Sequence, residues 1–250
     1  MAPQVVIAPL LIALVTAILT LLLRRFPRTQ RAVSLAGAIA YLGGVAWLAS
    51  AVARESILVY QVSAWQAPFG ITLVADALST FMLGLTAVVS LAAAVFSARY
   101  MSEYGQQVSY HALYHLLVVG ITGSFLTGDI FNLFVWFEVM LLSSYVLVVF
   151  YSGPEHTRAA LQYTVLNLIG SAVMLLAIGG LYSTTGTHNM ADMTRRLADS
   201  AQYNVDPVPV LGLAALLFAV FALKAGIVPF QFWVPAAYRA APAPVSAMLA

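Results

Sequence analysis

The chain has 250 residues, 62% of them hydrophobic and 8% charged, with a net charge of +2 and no cysteine. A soluble domain of this size could neither hide that much apolar surface nor build a polar exterior from so few charges, so the composition predicts a polytopic membrane protein. The small positive balance comes from arginines in connecting segments and gives no support to nucleic-acid binding. A membrane-embedded chain needs no disulfide framework either.

The first apolar run, about Pro3–Leu23, lacks a basic leader or an A-x-A-like cleavage site and reads as a retained span rather than a signal peptide. It ends in RRFPRTQR, the densest positive cluster of the chain. A second span is predicted over about Ala32–Ala53. SILVYQV and FGITLV then flank Ala67-Pro68, the pattern of a short hairpin at the membrane surface. The third span, about Val74–Ala98, has Asp76 in its first turn, where an acidic residue suits the helix dipole. The fourth and fifth, about Tyr110–Leu126 and Ile130–Tyr151, are separated only by Thr127-Gly128-Asp129. They must therefore be antiparallel neighbours, with Asp129 as N-cap of the fifth.

The sixth span, about Arg158–Tyr182, carries Asn167 and Ser171 one turn apart, expected to bond another helix or hold water on a path. Its Gly179-Gly180 predicts close helix packing. In THNMADMTRRLADS, Met190, Met193 and Leu197 share a face while Asp192, Arg195 and Arg196 point elsewhere, which predicts a short amphipathic helix on the membrane surface or on a partner. The seventh span covers about residues 208–238. Residues 243–250 read as the start of an eighth, so the chain is expected to be the N-terminal part of a longer protein.

Counting arginines orients the bundle. If the first loop is cytoplasmic, that side carries Arg24, Arg25, Arg28, Arg31, Arg99, Arg158 and Arg239, against Arg54, Arg195 and Arg196 on the other. The positive-inside rule then places the N-terminus outside.

Two charges fall inside spans. Lys224, the only lysine, lies near the middle of the stretch between Asp206 and Arg239, where an ionised group costs roughly 2.5–3.5 kcal/mol to insert. Gly226 and Pro229 follow it. Pro229 has no N–H for the carbonyl of Ala225, so the helix is predicted to kink or break beside the lysine. Broken helices at membrane depth line cavities, and transporters place ion sites at such breaks. The plainer alternative is a structural kink with Lys224 snorkelling to an interface.

Glu138 is nine residues past Asp129, about 13–14 Å into a core about 30 Å thick. Burial favours the neutral form of both residue types and a neighbouring opposite charge favours the ionised form, so Glu138 and Lys224 at similar depth suggest a pair whose protonation can switch. A static pair that fixes helix register is the alternative. His111 and His115 are spaced like a metal pair at the cytoplasmic mouth of the fourth span, but no third ligand is near. They read as interfacial or hydrogen-bonded histidines, with proton uptake at His115 as a second reading. No phosphate loop, nucleotide fingerprint, haem ligand pair or hydrolytic triad is present, and no cofactor or metal is predicted.

LTGDIFNLFVWFEVMLLSSYVLVV, NLIGSAVMLLAIGGLYSTTGTHNMADM and LKAGIVPFQFWVPAAYRAAPAPVSAML resemble the antiporter-like proton-translocating subunits. That family includes membrane subunits of respiratory NADH–quinone oxidoreductase, membrane-bound hydrogenases and Mrp-type sodium/proton antiporters. GDIFNLFVWFEV, with AWQAPFGITLVADALS before it, is most similar to the Mrp-type members. The resemblance implies an all-α membrane bundle with a broken seventh helix, of which this chain supplies an incomplete first inverted repeat. It implies a non-enzymatic subunit of a secondary antiporter in the bacterial cell membrane, surrounded by lipid, partnered by other Mrp-type subunits and handling protons and sodium ions. Glu138 becomes the fifth-helix glutamate and Lys224 the seventh-helix lysine of the proton path, and Gln231 stands where many relatives have histidine. A proton-pumping subunit of a redox complex is the alternative within the same fold. A scaffold whose buried charges only order the bundle is the alternative of another class.

Overall fold

In lipid a backbone must satisfy its own hydrogen bonds, and this chain does so almost wholly as helices. The computed structural model describes residues 3–101, 109–151 and 153–250. The helices are α1 (Ala8–Leu22, preceded by a 3-10 turn Pro3–Ile7), α2 (Pro27–Glu55), α3 (Ala77–Tyr100), α4 (Tyr110–Leu126), α5 (Ile130–Val148), α6 (Pro154–Thr185), α7 (Met190–Ala198), α8 (Pro207–Lys224), α9 (Trp233–Ala240) and α10 (Ala243–Leu249). Among the described residues six helices are long and apolar enough to cross a membrane: residues 4–22, 27–55, 77–100, 130–148, 154–185 and 207–224. The apolar α4 is shorter, at 17 residues. The protein is a multi-pass, all-α membrane bundle.

The expected hairpin is present: β1 (Leu58–Gln61) pairs antiparallel with β2 (Thr72–Ala75). Val74 and Ala75 therefore belong to a strand and not to the third helix. That helix starts after Asp76, which closes a capping box with Ser79. Proline at the first turn starts α2 and α6 before their apolar stretches begin, so both outrun the predicted spans. The hairpin end of the bundle is stitched by backbone. Gly128 N donates to Thr72 O at 2.8 Å, Met190 N to Gly128 O at 2.9 Å and Ile130 N to His188 O at 2.9 Å.

Close approaches set the helix order. A Cβ on Gly120 would lie 2.6 Å from the Met140 nitrogen, and one on Gly123 would lie 2.1 Å from the Trp136 ring. Rising numbers on α4 meet falling numbers on α5, so the two are the expected antiparallel neighbours. Asp129 caps α5, accepting from Asn132 N at 2.7 Å. Helices α2 and α4 run parallel: Ser34 meets His115 and Tyr41 meets Thr122, both contacts 81 residues apart in the chain. Of the paired glycines, Gly180 packs as expected, with Leu213 in its space, but Gly179 faces open space.

The amphipathic reading of α7 needs correcting at Asp192. Its apolar face packs on protein, Met193 joining Ile130, Ile178, Leu181 and Leu217 in a core between α5, α6 and α8. Asp192 turns inward instead of outward, because it accepts from Arg195 and from Arg196 at 3.0 Å while Arg196 also donates to Thr185 O. Burial acts to raise this carboxyl. The hydrogen bonds from Arg195 and Thr187 and the two arginine charges outweigh it and hold Asp192 below the usual carboxylate range.

Candidate functional site

Three helices converge on a short polar chain. Ser171 of α6 donates its hydroxyl proton to Glu138 Oε1 of α5, and Lys224 Nζ of α8 donates to Ser171 Oγ at 3.0 Å. The two charges are thus joined through a serine and form no direct hydrogen bond with each other. Ser171 is 3% exposed, while Glu138 and Lys224 are half-buried. The ammonium also lies 5.5 Å from the centroid of Phe137, close enough for a cation–π contact. Being the last residue of α8, Lys224 sits at the negative end of that helix's dipole.

Packing explains the convergence. Tyr163 on α6 shares a 2.8 Å hydrogen bond with Ser144 on α5, and one antiparallel register places both this pair and the Ser171–Glu138 pair. Gly170, next to Ser171, would put a Cβ only 3.1 Å from Leu223. A glycine there lets the end of α8 approach α6 until the lysine reaches the serine.

Glycine ends α8, and proline does not. Gly226 has φ +64°, a left-handed conformation that glycine adopts without steric cost. Gly226 N donates to Leu223 O at 3.1 Å and Ile227 N to Ala222 O at 3.0 Å, the two bonds of a Schellman motif. The predicted break beside Lys224 at Pro229 is corrected accordingly: the helix has finished before Pro229, and residues 225–232 run through turns to α9. Pro235 falls in the first turn of α9, where its missing N–H costs nothing. Trp233 spans the gap, donating from Nε1 to Leu223 O at 3.0 Å and stacking 5.0 Å from Tyr163. Gln231 is exposed within the turns.

The other sequence candidates go elsewhere. Asn167 bonds its own helix: its Nδ2 donates to Tyr163 O, one turn back in α6, at 3.0 Å. His115 is 3% exposed and not at an open mouth, with Nε2 2.8 Å from Ser34 Oγ. His111 is 1% exposed and, among the described residues, neither ring nitrogen has a hydrogen-bond partner. Among the described residues no three histidine or carboxylate side chains gather as a metal site. Sequence reading passed over Phe137, Gly170, Ser144, Tyr163 and Trp233. The only sequence signal was that Phe137 adjoins Glu138 and Gly170 adjoins Ser171.

Residues 127–250, which hold the whole Glu138–Ser171–Lys224 chain, match the family described as NADH:quinone oxidoreductase/Mrp antiporter, transmembrane. This chain belongs to that family. It is 36% identical to the D subunit of the Na(+)/H(+) antiporter of Alkalihalophilus pseudofirmus over 98% of its own length and 49% of that protein's. The chain thus spans about half the length of the curated relatives it matches. Among solved structures, the Mrp complex from Dietzia sp. DQ12-45-1b matches with a TM-score of 0.86 and 29% identity over 99% of this chain and 46% of the other. An archaeal respiratory complex, the membrane-bound sulfane sulfur reductase, matches with a TM-score of 0.90 and 28% identity over 97% and 49%. What this chain shares with those structures is an architecture of packed membrane-spanning helices.

Proposed function

We propose that the chain forms a proton- and cation-translocating component, of the D type, in a Mrp-type sodium/proton antiporter complex of the bacterial cell membrane. In this reading Glu138 and Lys224 exchange protons at mid-membrane, and α8 and α9 are two halves of one interrupted span. The other Mrp-type subunits are its partners, and the N-terminus faces outward. The observation that carries the reading is the hydrogen-bonded linkage of a carboxylate and an ammonium on three helices beside a helix end. Ionisable groups inside a membrane bundle mark ion and proton pathways, and half-helix ends serve as ion sites in transporters. The sodium assignment rests on the name of the Alkalihalophilus relative.

Lys224→Arg tests it in the full-length protein assembled with its partner subunits. Arginine keeps the charge and hydrogen-bonding capacity but does not release its proton at accessible pH. A proton carrier is stopped by this change, whereas a static register pair tolerates it. Normal sodium-dependent proton flux in the arginine variant would overturn the reading. Cysteines placed singly at Thr29 and Ser200 should label from opposite sides of the membrane, and labelling from one side would overturn the orientation. The likeness to the sulfane sulfur reductase complex favours a second reading, a pumping subunit of a redox assembly. Iron–sulfur subunits copurifying with the chain would decide for it.

A further inference from the structure

We propose that Ser171 is the proton relay between Lys224 and Glu138, a hydroxyl whose two hydrogen bonds reverse together at each transfer. This rests on the transport reading above. A lysine ammonium has donors only and an ionised carboxylate acceptors only, whereas a hydroxyl is both. Ser171 occupies that intermediate role, giving its single proton to Glu138 Oε1 and receiving an N–H from Lys224. It is closed off from solvent at 3% exposure, so its hydroxyl spends its bonds on these two partners.

The step balances without any further reactant. The Lys224 Nζ–H bond breaks as its proton joins Ser171 Oγ, and the original Oγ–H bond breaks as that proton joins Glu138 Oε1. Two bonds to hydrogen form and two break. An ammonium and a carboxylate become an amine and a carboxylic acid, and the net charge of the trio is unchanged. Afterwards the acid donates to Ser171, and Ser171 donates to the amine lone pair. Both states keep two hydrogen bonds, so neither leaves a buried polar group unpaired. The hydroxyl must rotate back before it can pass a second proton in the same direction, which makes the serine a one-proton turnstile.

The neighbours hold this geometry. The Ser144–Tyr163 bond pins α5 against α6, and Gly170 leaves room for Leu223 beside the lysine, since a Cβ there would lie 3.1 Å from Leu223 Cδ2. Among the described residues, Tyr145 on α5 interacts electrostatically with Glu138, and its ring meets that of Tyr163 on α6 edge-on at 5.1 Å.

The experiment measures sodium-dependent proton flux, its pH profile and assembly for Ser171→Ala, Ser171→Thr and Glu138→Gln. All are made in the full-length protein with its partner subunits. Ser171→Ala is expected to assemble normally, to lose at least about tenfold in flux and to show a displaced pH profile. Ser171→Thr, which keeps the hydroxyl, is expected to restore both. Wild-type flux and profile in Ser171→Ala, with Glu138→Gln inactive, would overturn the relay and leave the transport reading intact. Loss in both the alanine and threonine variants, with the profile unmoved, would assign the position to packing and also overturn the relay. Undiminished flux in Glu138→Gln would overturn the transport reading and the relay with it.

Discussion

His115 and Lys224 are both bonded to a serine hydroxyl from a neighbouring helix, yet their surroundings differ. At His115 two uninterrupted parallel helices, α2 and α4, close over the contact, and a second side-chain bond between Tyr41 and Thr122 repeats the same register. Ser34 brings no second ionisable side chain to the histidine in that hydrogen-bonded pair. At Lys224 the helix ends, the next residues turn away, and the serine is bonded to a second ionisable group. In the proposed reading, a buried ionisable residue is not enough for a path. It also needs a partner that can take the proton, an amphiprotic group in between, and a break in the backbone that gives the side chain room to respond.

The largest effect that would sharpen this contrast is on transport. In the assembled full-length complex, Glu138→Gln is expected to lower exchange by at least about tenfold with yield preserved, as read by proton flux in vesicles. Ser34→Ala, at the other serine, should leave flux per assembled complex unchanged and act on stability. It strands His115 Nε2 in the interior, an expected loss of about 1–3 kcal/mol by thermal or denaturant unfolding. If Ser34→Ala stopped flux without lowering stability, the two sites would be alike and the comparison would fail.

Gly226→Ala comes next. Alanine in the left-handed conformation costs about 1–2 kcal/mol, and its Cβ would also fall 2.4 Å from Val234 Cγ2. Gly179→Ala, which opens onto free space inside α6, is the matched control and should stabilise by up to about 1 kcal/mol through helix propensity. Equal effects of the two substitutions would show that the end of α8 does not depend on its glycine.

The smallest effect lies at Asp192, away from both sites. Its carboxyl is held below the usual range in the folded protein, so its contribution is present above the ordinary carboxylate pKa and lost as pH falls through the lowered value. Asp192→Asn should flatten the acid limb of stability by at most about 1 kcal/mol, because the Arg195 guanidinium reaches solvent. An unchanged acid limb would remove the linkage.

Much of the architecture was legible because its causes are local. Apolar length sets the spans, Thr127-Gly128-Asp129 is too short for anything but an antiparallel turn, and an aspartate before an apolar run caps it. The hairpin around Ala67-Pro68 was legible for the same reason. Glu138 and Lys224 stood out because a charge inside an apolar span has few explanations.

The rest depended on how one helix sits against the next. Spacing placed Asn167 and Ser171 on one face of α6, but only packing decided that Asn167 would bond its own helix and Ser171 would reach two others. Periodicity turned Asp192 outward, and two arginines within one turn drew it in. Gly226 and Pro229 were both visible as breakers, but the left-handed turn closed the helix before the proline could act. The sequence by itself determined which groups must be buried and where helices could start. Only the tertiary structure decided which buried groups meet, because a hydrogen bond between helices is set by register and approach distance, and those are properties of pairs of helices and not of any one of them.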